Sequence, residues 1–479
     1  MSDIVVIGAG LAGLACAVAL ADRGLRVTVV EAGERLGGRA ASWTDATTGD
    51  MVDIGPHVLH SEYRNMLALL ERLGTSRLVC WQRDPLLTIA SKPAPVHLRH
   101  GPLPPPLSLM PSMVGAPGLS MADLMSMSRL SLHVMRFGEE EIDALDRITA
   151  FDFLRREGVS ARMIDWWWRF AAMVVTNVPL DRCSAASLMR IHAQLSSYRG
   201  LHFGFAGVGL SELYASQAVR AIEAVGGRVL VGRPAARLLG DTDVRGVRLD
   251  DGAELHAARV VSAVPPQALG PLLPVRWRGD SAFEIISTIE PSPYVSVYLW
   301  FDRHIAMPRF ASHQCTPARL NYDYYDLTHI RHGWQARPTV TASNIIYSHR
   351  AKGMSDRQIV QATVRELAEI APQAAAARVV HSAVHHIPMA IPCPIVGFER
   401  LRPAARTPVH GLYLAGDWTR THLPCSMEGA VKSGFTAAQE VLADLGRPAA
   451  IAVSPRTCDG LGAIVRPLAV AGRTLPRGP

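Results

Sequence analysis

Lysine is scarce in this chain, and cysteines are never grouped. Lysine occurs only at Lys92, Lys352 and Lys432, and no cluster of lysine and arginine is interleaved with aromatic residues. We therefore do not expect nucleic acid to be a partner. The seven cysteines are scattered and form no Cys-x-x-Cys pair. That distribution suits a reducing cytoplasm and argues against a zinc site or a disulfide framework, so we expect no metal site.

Long uninterrupted apolar runs are also lacking. The apolar N-terminal stretch starts without a basic segment and contains four glycines within its first 25 residues, so we do not read it as a signal peptide. No other uncharged apolar run reaches the roughly 18 residues of a membrane-spanning helix. We expect a cytoplasmic protein that is either soluble or peripherally bound to the inner face of the membrane. At 479 residues, with 48% hydrophobic and 19% charged residues, two intertwined globular domains are expected.

The N-terminal stretch has the pattern of a dinucleotide site. A short apolar run ends in Gly8-x-Gly10-x-x-Gly13, and a second apolar run ends in Glu31. In this pattern Gly8 permits a tight turn, Gly10 lets the backbone approach a diphosphate, and Gly13 lets the helix touch the strand. The following helix begins facing the phosphates, and Glu31 is placed to accept hydrogen bonds from ribose hydroxyls. The sequence therefore predicts a strand, turn, helix and strand over residues 3–31.

Two further segments complete this predicted nucleotide site. Arg39 ends an Arg-Leu-Gly-Gly-Arg run directly after the acid, where a guanidinium suits a phosphate or the flavin ring. Near the far end, Gly416-Asp417 follows an apolar run, and a helix is expected to begin near Ser426. The positive end of that helix would stabilise negative charge on a reduced flavin. Asp417 would accept a hydrogen bond from the ribityl chain or bind phosphate through water.

These motifs resemble those of the FAD-dependent amine oxidases and phytoene-type desaturases, over roughly residues 1–445. The resemblance implies FAD as cofactor and a segment beside the flavin that contains Gly55, Pro56 and His57. The FAD-binding residues that it implies, together with those the patterns above predict, are Gly8, Gly10, Gly13, Glu31, Arg39, Gly55, Pro56, Gly416, Asp417, Ser426, Met427, Glu428, Gly429 and Ala430.

The substrate class follows from departures within this resemblance. Amine oxidases of the group carry an aromatic residue before Met-Glu-Gly, where this chain has Ser426, and a mid-chain lysine, which this chain lacks between Lys92 and Lys352. Both differences count against amine oxidation. The segments 101–109, 177–185 and 417–424 look most like hydroxysqualene dehydroxylases of hopanoid synthesis, and the plant-type carotene desaturases are the alternative.

The expected reaction is therefore a hydride transfer on a long isoprenoid of squalene length or greater. A dehydroxylase would deliver hydride from reduced FAD to an allylic carbon while hydroxide leaves as water, with His57 as the candidate acid. A desaturase would move hydride the other way, with a quinone taking the electrons. A non-catalytic FAD-containing lipid carrier is the third alternative, and the redox partner is left open.

The expected fold class is α/β, with a Rossmann-like FAD-binding domain assembled from separated segments and an α+β substrate domain. The FAD-binding segments are 1–75, 205–270 and 401–446. The substrate domain takes 76–204, expected to be mostly helical, and 271–400, which includes a buried strand over residues 294–301. Residues 447–479 are rich in Pro, Gly and Arg and are expected to form a loosely ordered tail.

Three features have open interpretations. The Met- and Leu-rich region 107–135 would either line a tunnel or dock on a bilayer, or else form ordinary core helix. Of the three consecutive indoles of residues 166–168, at least one is free to line a cavity, although core packing is the favoured role. The pair His385-His386 is interpreted as structural, because adjacent strand positions point to opposite faces.

Overall fold

The computed structural model describes residues 3–82, 84–456 and 458–474. Its strands, in chain order, are β1 (Ile4–Ile7), β2 (Val27–Val30), β3 (Ser42–Thr44), β4 (Met51–Asp53), β5 (Leu59–His60), β6 (Val79–Gln82), β7 (Leu87–Ala90), β8 (Val96–Leu98), β9 (Phe203–Ala206), β10 (Arg228–Leu230), β11 (Ala235–Gly240), β12 (Val244–Leu249), β13 (Glu254–His256), β14 (Val260–Ser262), β15 (Pro291–Phe301), β16 (Phe310–His313), β17 (Asp323–Asp326), β18 (Val340–Ile346), β19 (Val379–Pro392) and β20 (Leu412–Leu414).

The α-helices of the same residues connect and cover these strands. They are α1 (Leu11–Ala21), α2 (Arg64–Arg72), α3 (Met121–Met125), α4 (Ser128–Arg136), α5 (Ile142–Leu145), α6 (Ala150–Arg156), α7 (Ala161–Met163), α8 (Arg169–Ala171), α9 (Ala185–Ser196), α10 (Ala215–Glu223), α11 (Pro266–Leu272), α12 (Ile285–Thr288), α13 (Leu327–Ile330), α14 (Asp356–Ile370), α15 (Phe398–Leu401), α16 (Met427–Asp444) and α17 (Gly460–Thr474).

A parallel sheet with the order β10-β2-β1-β14-β20 carries the predicted nucleotide motifs. Its strands come from residues 1–75, 205–270 and 401–446, so the Rossmann-like domain assembled from separated segments is confirmed. Helix α1 is buried along its whole length. It packs closely on α16 at Gly434, which has no side chain. A Cβ there would lie 2.2 Å from the carbonyl oxygen of Ala12. Small residues on both helices thus hold the two ends of the chain together.

A second, mostly antiparallel sheet has the order β19-β15-β18-β17-β16-β7-β8. The predicted buried strand lies within its long strand β15. Alternate residues of this sheet pack on two different layers, as the period of two requires. Tyr298 and Trp300 join the core under the helices of residues 121–196, and Val297 and Leu299 face α14. Helices and sheet together form the α+β substrate domain.

Four strands lie at or near the predicted limits of the block 76–204. Strand β9 crosses the predicted limit between residues 204 and 205 and pairs with β5 and β6. Residues 79–98 form β6, β7 and β8 before the helical part of the block begins. These strands tie the two domains together, which a boundary drawn from composition does not capture.

Residues 447–456 and 458–474 differ from the expected loosely ordered tail, and residues 475–479 of that prediction lie outside the described residues. The Val453 N–H donates to Asn65 Oδ1 at 2.7 Å, and the Ile451 N–H donates to Gln439 Oε1 at 2.7 Å. The helix α17 then packs against α4. Within the described residues, no helix is long and apolar enough to cross a membrane.

Candidate active site

A cavity of about 610 Å³ runs from the carboxyl ends of the parallel strands into the substrate domain. We call the end lined by residues of the segments 7–12, 30–40 and 416–430 the cofactor half, and the end lined by residues of the segments 167–175 and 191–195 and of the large sheet the apolar half. The predicted site residues that line the cavity are Gly8, Gly10, Glu31, Arg39, Gly55, Pro56, His57, Gly416, Asp417, Ser426, Met427 and Ala430. The sequence motifs from both ends of the chain are thus brought to one place. Gly13, Glu428 and Gly429 lie outside this lining.

The glycine turn leaves room where a diphosphate would lie. Gly8 has φ +99°, and a Cβ at Gly13 would lie 2.0 Å from the carbonyl oxygen of Gly8, so neither position accepts a side chain. In contrast, a Cβ at Gly10 would have no atom within 4 Å. The first N–H groups of α1 have no side-chain cap, so they are available to an anion. This arrangement fits the diphosphate of a dinucleotide.

Glu31 is held at the end of β2 by two backbone groups. Its Oε2 accepts from the Ala9 N–H at 2.7 Å, and its Oε1 accepts from the Gly33 N–H at 2.9 Å. A carboxylate oxygen has two lone pairs, so both oxygens keep one for another donor. The fixed carboxylate lines the cofactor half, in a position suited to ribose hydroxyls.

Arg39 and Asp417 form an ion pair inside the cofactor half. Arg39 Nη2 lies 2.7 Å from Asp417 Oδ1, and its Nη1 also donates to the carbonyl oxygen of Ala390 at 3.2 Å. The Asp417 side chain is 5% exposed and that of Arg39 is 30% exposed. The pair therefore leaves part of the guanidinium open to the cavity and fixes the segment that carries Asp417.

A buried arginine, Arg402, shapes the segment that begins at Asp417. Its guanidinium donates to the carbonyl oxygens of Thr419, Leu423 and Asp417, at 2.8, 2.7 and 2.8 Å. Its Nη1 forms an ion pair with Glu399 Oε2, at 3.1 Å. Three carbonyl groups of one loop are thus satisfied by a single planar cation. The sequence reasoning missed Arg402, because an isolated arginine far from the motif carries no local signal.

The segment with Gly55, Pro56 and His57 lies against the large sheet. A Cβ at Gly55 would come within 2.3 Å of Ser296 Oγ, so only glycine allows this approach. His57 Nδ1 lies 2.8 Å from the carbonyl oxygen of Gly55, which makes Nδ1–H the donor. Burial lowers the pKa of His57. The ring is therefore neutral at pH 7, with Nε2 as an acceptor, and this disfavours His57 as the charged proton donor that the dehydroxylase hypothesis offered as a candidate.

The N-terminus of α16 reaches the cavity as the sequence predicted, but Glu428 does not. Ser426 Oγ caps the helix by accepting from the Gly429 N–H at 3.1 Å. Glu428 points instead to the start of α2, where its carboxylate accepts from Asn65 N, Asn65 Nδ2 and Met66 N at 3.0, 2.7 and 2.8 Å. Its carboxylate thus connects α16 to α2, since α-helical residues one apart face different directions, and its predicted role as a cofactor ligand stays a prediction. A Cβ at Gly429 would lie 2.8 Å from the carbonyl oxygen of Pro424, a close-packing role.

The apolar half of the cavity is built mainly from α9, the segment 167–175 and the sheet. Of the three indoles, Trp166 and Trp168 are buried and Trp167 lines the cavity. They lie in a π-helical turn, Ile164–Trp168, a widened turn that is often found at functional sites. The apolar lining on this side includes Trp167, Phe170, Ala171, Val174, Val175, Ile191, Leu195, Phe203 and Phe310.

A polar row crosses the sheet where the two halves meet, and the sequence reasoning missed it. It consists of Ser296, Asn344 and Asp323, which are paired across β15, β18 and β17. All three line the cavity. Asp323 accepts from the Tyr325 hydroxyl at 2.8 Å and from the Asn344 N–H at 3.2 Å. The only signal in the sequence was an aspartate inside a buried Asp-Tyr-Tyr-Asp strand, since carboxylates are rarely buried without a reason.

The remaining features divide between core and surface. In the Met-rich region Met113 and Leu124 are buried, whereas Met121 and Met125 are 60% and 62% exposed. His385 packs on Trp43, with ring centroids 4.8 Å apart, and His386 Nε2 lies 2.8 Å from Asp356 Oδ1 on the surface. Across the part of the chain that the structure describes, no group of three or more His, Cys, Asp and Glu side chains could hold a metal ion.

Comparison with known proteins gives consistent matches over most of the chain. The family model described as flavin containing amine oxidoreductase matches residues 11–442. The chain is 27% identical over 480 residues to a 15-cis-phytoene desaturase, chloroplastic/chromoplastic, of an Oncidium hybrid cultivar, covering 95% of this chain and 80% of that protein. It is 29% identical over 509 residues to the carotenoid phi-ring synthase of Streptomyces griseus, covering 97% and 92%.

Solved structures share the fold. Cyclohexylamine oxidase from Brevibacterium oxydans matches with a TM-score of 0.69 and 19% identity, covering 93% of this chain and 100% of that chain. Wild-type putrescine oxidase bound to putrescine matches with the same TM-score and 19% identity, covering 92% and 99%. At this identity the likeness shows a common architecture.

Proposed function

This chain belongs to the flavin-containing amine oxidoreductase family, and on that premise we propose that it is an FAD-dependent oxidoreductase acting on a long isoprenoid lipid. The proposed reaction is the dehydrogenation of a carotenoid-type polyene. The observation that carries the proposal is the continuous cavity. Its cofactor half is lined by the nucleotide motifs, and its apolar half by indole, phenyl and aliphatic side chains. A long hydrocarbon gains about 25 cal/mol for each Å² of apolar surface that such a lining removes from water.

The residues of the cofactor half fit FAD. The open space beside Gly10 would admit the diphosphate, and the first N–H groups of α1 would donate to it. The Glu31 carboxylate would accept hydrogen bonds from the ribose. The N-terminus of α16 lines the cavity through Ser426 and Met427, and its positive end would stabilise negative charge on a reduced flavin. FAD supplies hydride transfer when bound. The protein holds the substrate in the apolar half, excludes water there, and places the polar row of Ser296, Asn344 and Asp323 where the two halves meet.

The two relatives support the carotenoid version, because one is a phytoene desaturase and the other a carotenoid phi-ring synthase. The low identity of the two amine oxidase structures supports only the fold. Ser426 in place of an aromatic residue, and the lack of a mid-chain lysine, also speak against an amine substrate.

Hydroxysqualene dehydroxylation is the second candidate. The segments 177–185 and 417–424 favour it, through their resemblance to that group of enzymes. The two reactions differ in the direction of hydride transfer, since desaturation reduces the flavin and dehydroxylation oxidises it. The direction is therefore the property to measure.

Anaerobic mixing tests the proposal. We expect the oxidised holoenzyme to lose its flavin absorbance when phytoene or ζ-carotene is added, with formation of a product that has one more double bond. Reoxidation of the chemically reduced holoenzyme by hydroxysqualene, with squalene formed, would instead establish the second candidate. If no isoprenoid reduces or reoxidises a flavin that dithionite does reduce, the proposal is wrong and the lipid-carrier alternative stands.

We also propose that the protein docks on a bilayer through exposed apolar side chains of α3 and α17, which we call the α3–α17 surface. It consists of the exposed side chains of Met121 and Met125 on α3 and of Ile464 and Leu468 on α17, which are 60% to 70% exposed. The exposed Arg466 on α17 would meet anionic headgroups. Helix α17 packs on α4, and α4 packs on α9, whose Ile191 lines the cavity. This surface is therefore separated from the apolar half by two helices.

A further inference from the structure

A buried carboxyl group lines the cavity where the cofactor half and the apolar half meet, and the proposed function gives it no task. Asp323 is 2% exposed and lines the cavity. Burying a carboxylate costs several kcal/mol unless charges or hydrogen bonds compensate. Its hydrogen bonds come from a phenol and a backbone amide, and neither of these groups carries a charge. A purely structural role would not require a carboxyl group, whose burial costs free energy, at a position that lines the proposed substrate cavity.

The surroundings keep this carboxyl group ready to exchange a proton. Burial raises the pKa of Asp323 to about 6, although hydrogen bonds from Tyr325 and Asn344 act in the opposite direction. The titratable groups that interact with it are Tyr294, Tyr324 and Tyr325, and burial raises the pKa of each well above the usual value. These phenols stay neutral, so the carboxyl group titrates without a nearby phenolate.

The polar row connects this carboxyl group to the segment beside the flavin. Asn344 donates from its backbone N–H to Asp323 and from its side-chain Nδ2 to the carbonyl oxygen of Pro56, at 3.3 Å. Ser296 Oγ donates to Asn344 Oδ1 at 2.7 Å. Asn344 therefore links Asp323 to the Gly55 to His57 segment, and Asp323 lies at the junction of the cofactor half and the apolar half.

We propose that Asp323 is the proton-transfer group of the reaction, acting on the substrate carbon next to the one that exchanges hydride. This inference rests on the proposed function. In dehydrogenation one C–H bond breaks with its electron pair, which leaves as hydride for the flavin. The adjacent C–H bond loses its proton to the Asp323 carboxylate, and the electrons of that bond form the new C=C bond. The hydrocarbon is oxidised, the flavin is reduced, and a quinone finally accepts the two electrons.

In dehydroxylation the same group would work in reverse. Protonated Asp323 would give its proton to the leaving hydroxyl, which departs as water, while the reduced flavin supplies hydride to the carbon. Tyr325 is a positioning residue in both cases, because its hydroxyl orients the carboxyl group.

The test uses the full-length holoenzyme and the variants D323N, D323E and D326N. Asn keeps one oxygen that can accept from the Asn344 N–H, and its NH2 group can donate to the Tyr325 hydroxyl, which can turn to accept, so D323N should fold and hold FAD. Asp326 is a buried carboxylate on the same strand that accepts from the Thr328 N–H at 3.0 Å and lies outside the cavity lining, which makes D326N the matched control. The measurements are flavin content, melting temperature, and the rate of anaerobic flavin reduction by the polyene between pH 5 and pH 8.

We expect D323N to slow flavin reduction by about 100-fold or more, the usual contribution of a general acid or base, with normal flavin content. D323E should recover part of the rate, and D326N should keep the wild-type rate and pH profile. In the wild type the rate should rise as the pH increases through about 6, and D323N should remove this step. If D323N reacts at the wild-type rate, Asp323 is structural and the proposed function is unaffected. If the wild type reacts with no isoprenoid, the proposed function and this inference both fail.

Discussion

Arg39 and Asp417 are separated by 378 residues in the chain and form an ion pair of 2.7 Å in the cofactor half of the cavity. Arg39 follows the N-terminal dinucleotide motif, and Asp417 lies three residues after β20, the last strand of the parallel sheet. Their contact therefore joins residues from the two ends of the chain at the cofactor half. Charge-assisted hydrogen bonds of this type are the strong ones in proteins, so the pair combines a structural role with a position beside the cofactor.

We expect R39A to weaken FAD binding by about tenfold or more, because removing a partner of a charged hydrogen bond costs roughly 1.5–3 kcal/mol. The binding constant is measured by titrating the apoprotein with FAD and following flavin fluorescence. R35A is the control, because Arg35 is exposed and lies over the Trp43 ring at 4.6 Å, outside the cavity lining. The double variant R39A/D417A should lose less than the sum of the single variants. Equal FAD affinity for R39A and R35A would contradict this role.

Glu428 should matter for stability and not for the cofactor. Its carboxylate accepts three hydrogen bonds from Asn65 and Met66 at the start of α2, so E428A leaves three buried donors unpaired. We expect the free energy of unfolding to fall by about 3 kcal/mol, measured by urea denaturation. E440Q on the same helix is the control, because Glu440 pairs with Arg406 at a partly exposed site, where a salt bridge contributes about 1 kcal/mol at most. A large loss of FAD affinity in folded E428A would return Glu428 to the cofactor site.

The burial of Asp323 predicts a pH-dependent difference in stability that is independent of catalysis. Its pKa is about 6 in the folded protein, against an ordinary value of 3.8. A raised carboxyl pKa means that folding favours the protonated form, so its contribution is complete below pH 4 and is lost as the pH rises through 6. Each pKa unit corresponds to about 1.4 kcal/mol, and the pKa in the folded protein lies about 1.5 pH units above pH 4.5, so the stability of D323N relative to the wild type should rise by about 2 kcal/mol between pH 4.5 and pH 7.5.

Urea unfolding of both proteins at pH 4.5 and pH 7.5 measures this difference. Y325F is informative as well, because it removes the phenol that donates to Asp323 at 2.8 Å and should raise the pKa of that carboxyl group further. If the stability of D323N relative to the wild type does not change with pH, the carboxyl group titrates normally in the folded protein.

The sequence predicted those parts of the site that depend on local structure. Gly8, Gly10 and Glu31 belong to one strand-turn-helix-strand unit, whose spacing determines where each residue lies. Asp323 could not be predicted in this way, because its place in the cavity depends on its register opposite Asn344 on another strand. A shift of one residue in that register would turn it to the other face of the sheet.

The same distinction explains Glu428 and the C-terminal residues. Glu428 lies inside a motif that reads as one unit in sequence, but the helix turns it away from the cavity and toward Asn65. The segment 447–456 has the composition of a loose tail, yet its order comes from distant partners such as Asn65 and Gln439. Composition describes the segment alone, whereas these contacts belong to the folded chain.

Binding to lipid vesicles tests the α3–α17 surface. Burying a side chain of the size of Met, Leu or Ile in an apolar phase contributes about 1.5–3 kcal/mol, so M125E/I464E should weaken binding to vesicles that contain anionic lipid by tenfold or more. V275E is the matched control, because Val275 is 80% exposed on a different segment and is not part of the surface. Sedimentation with vesicles measures the bound fraction, and flavin content confirms that each variant is folded. If V275E and M125E/I464E bind equally well, the bilayer does not contact α3 and α17.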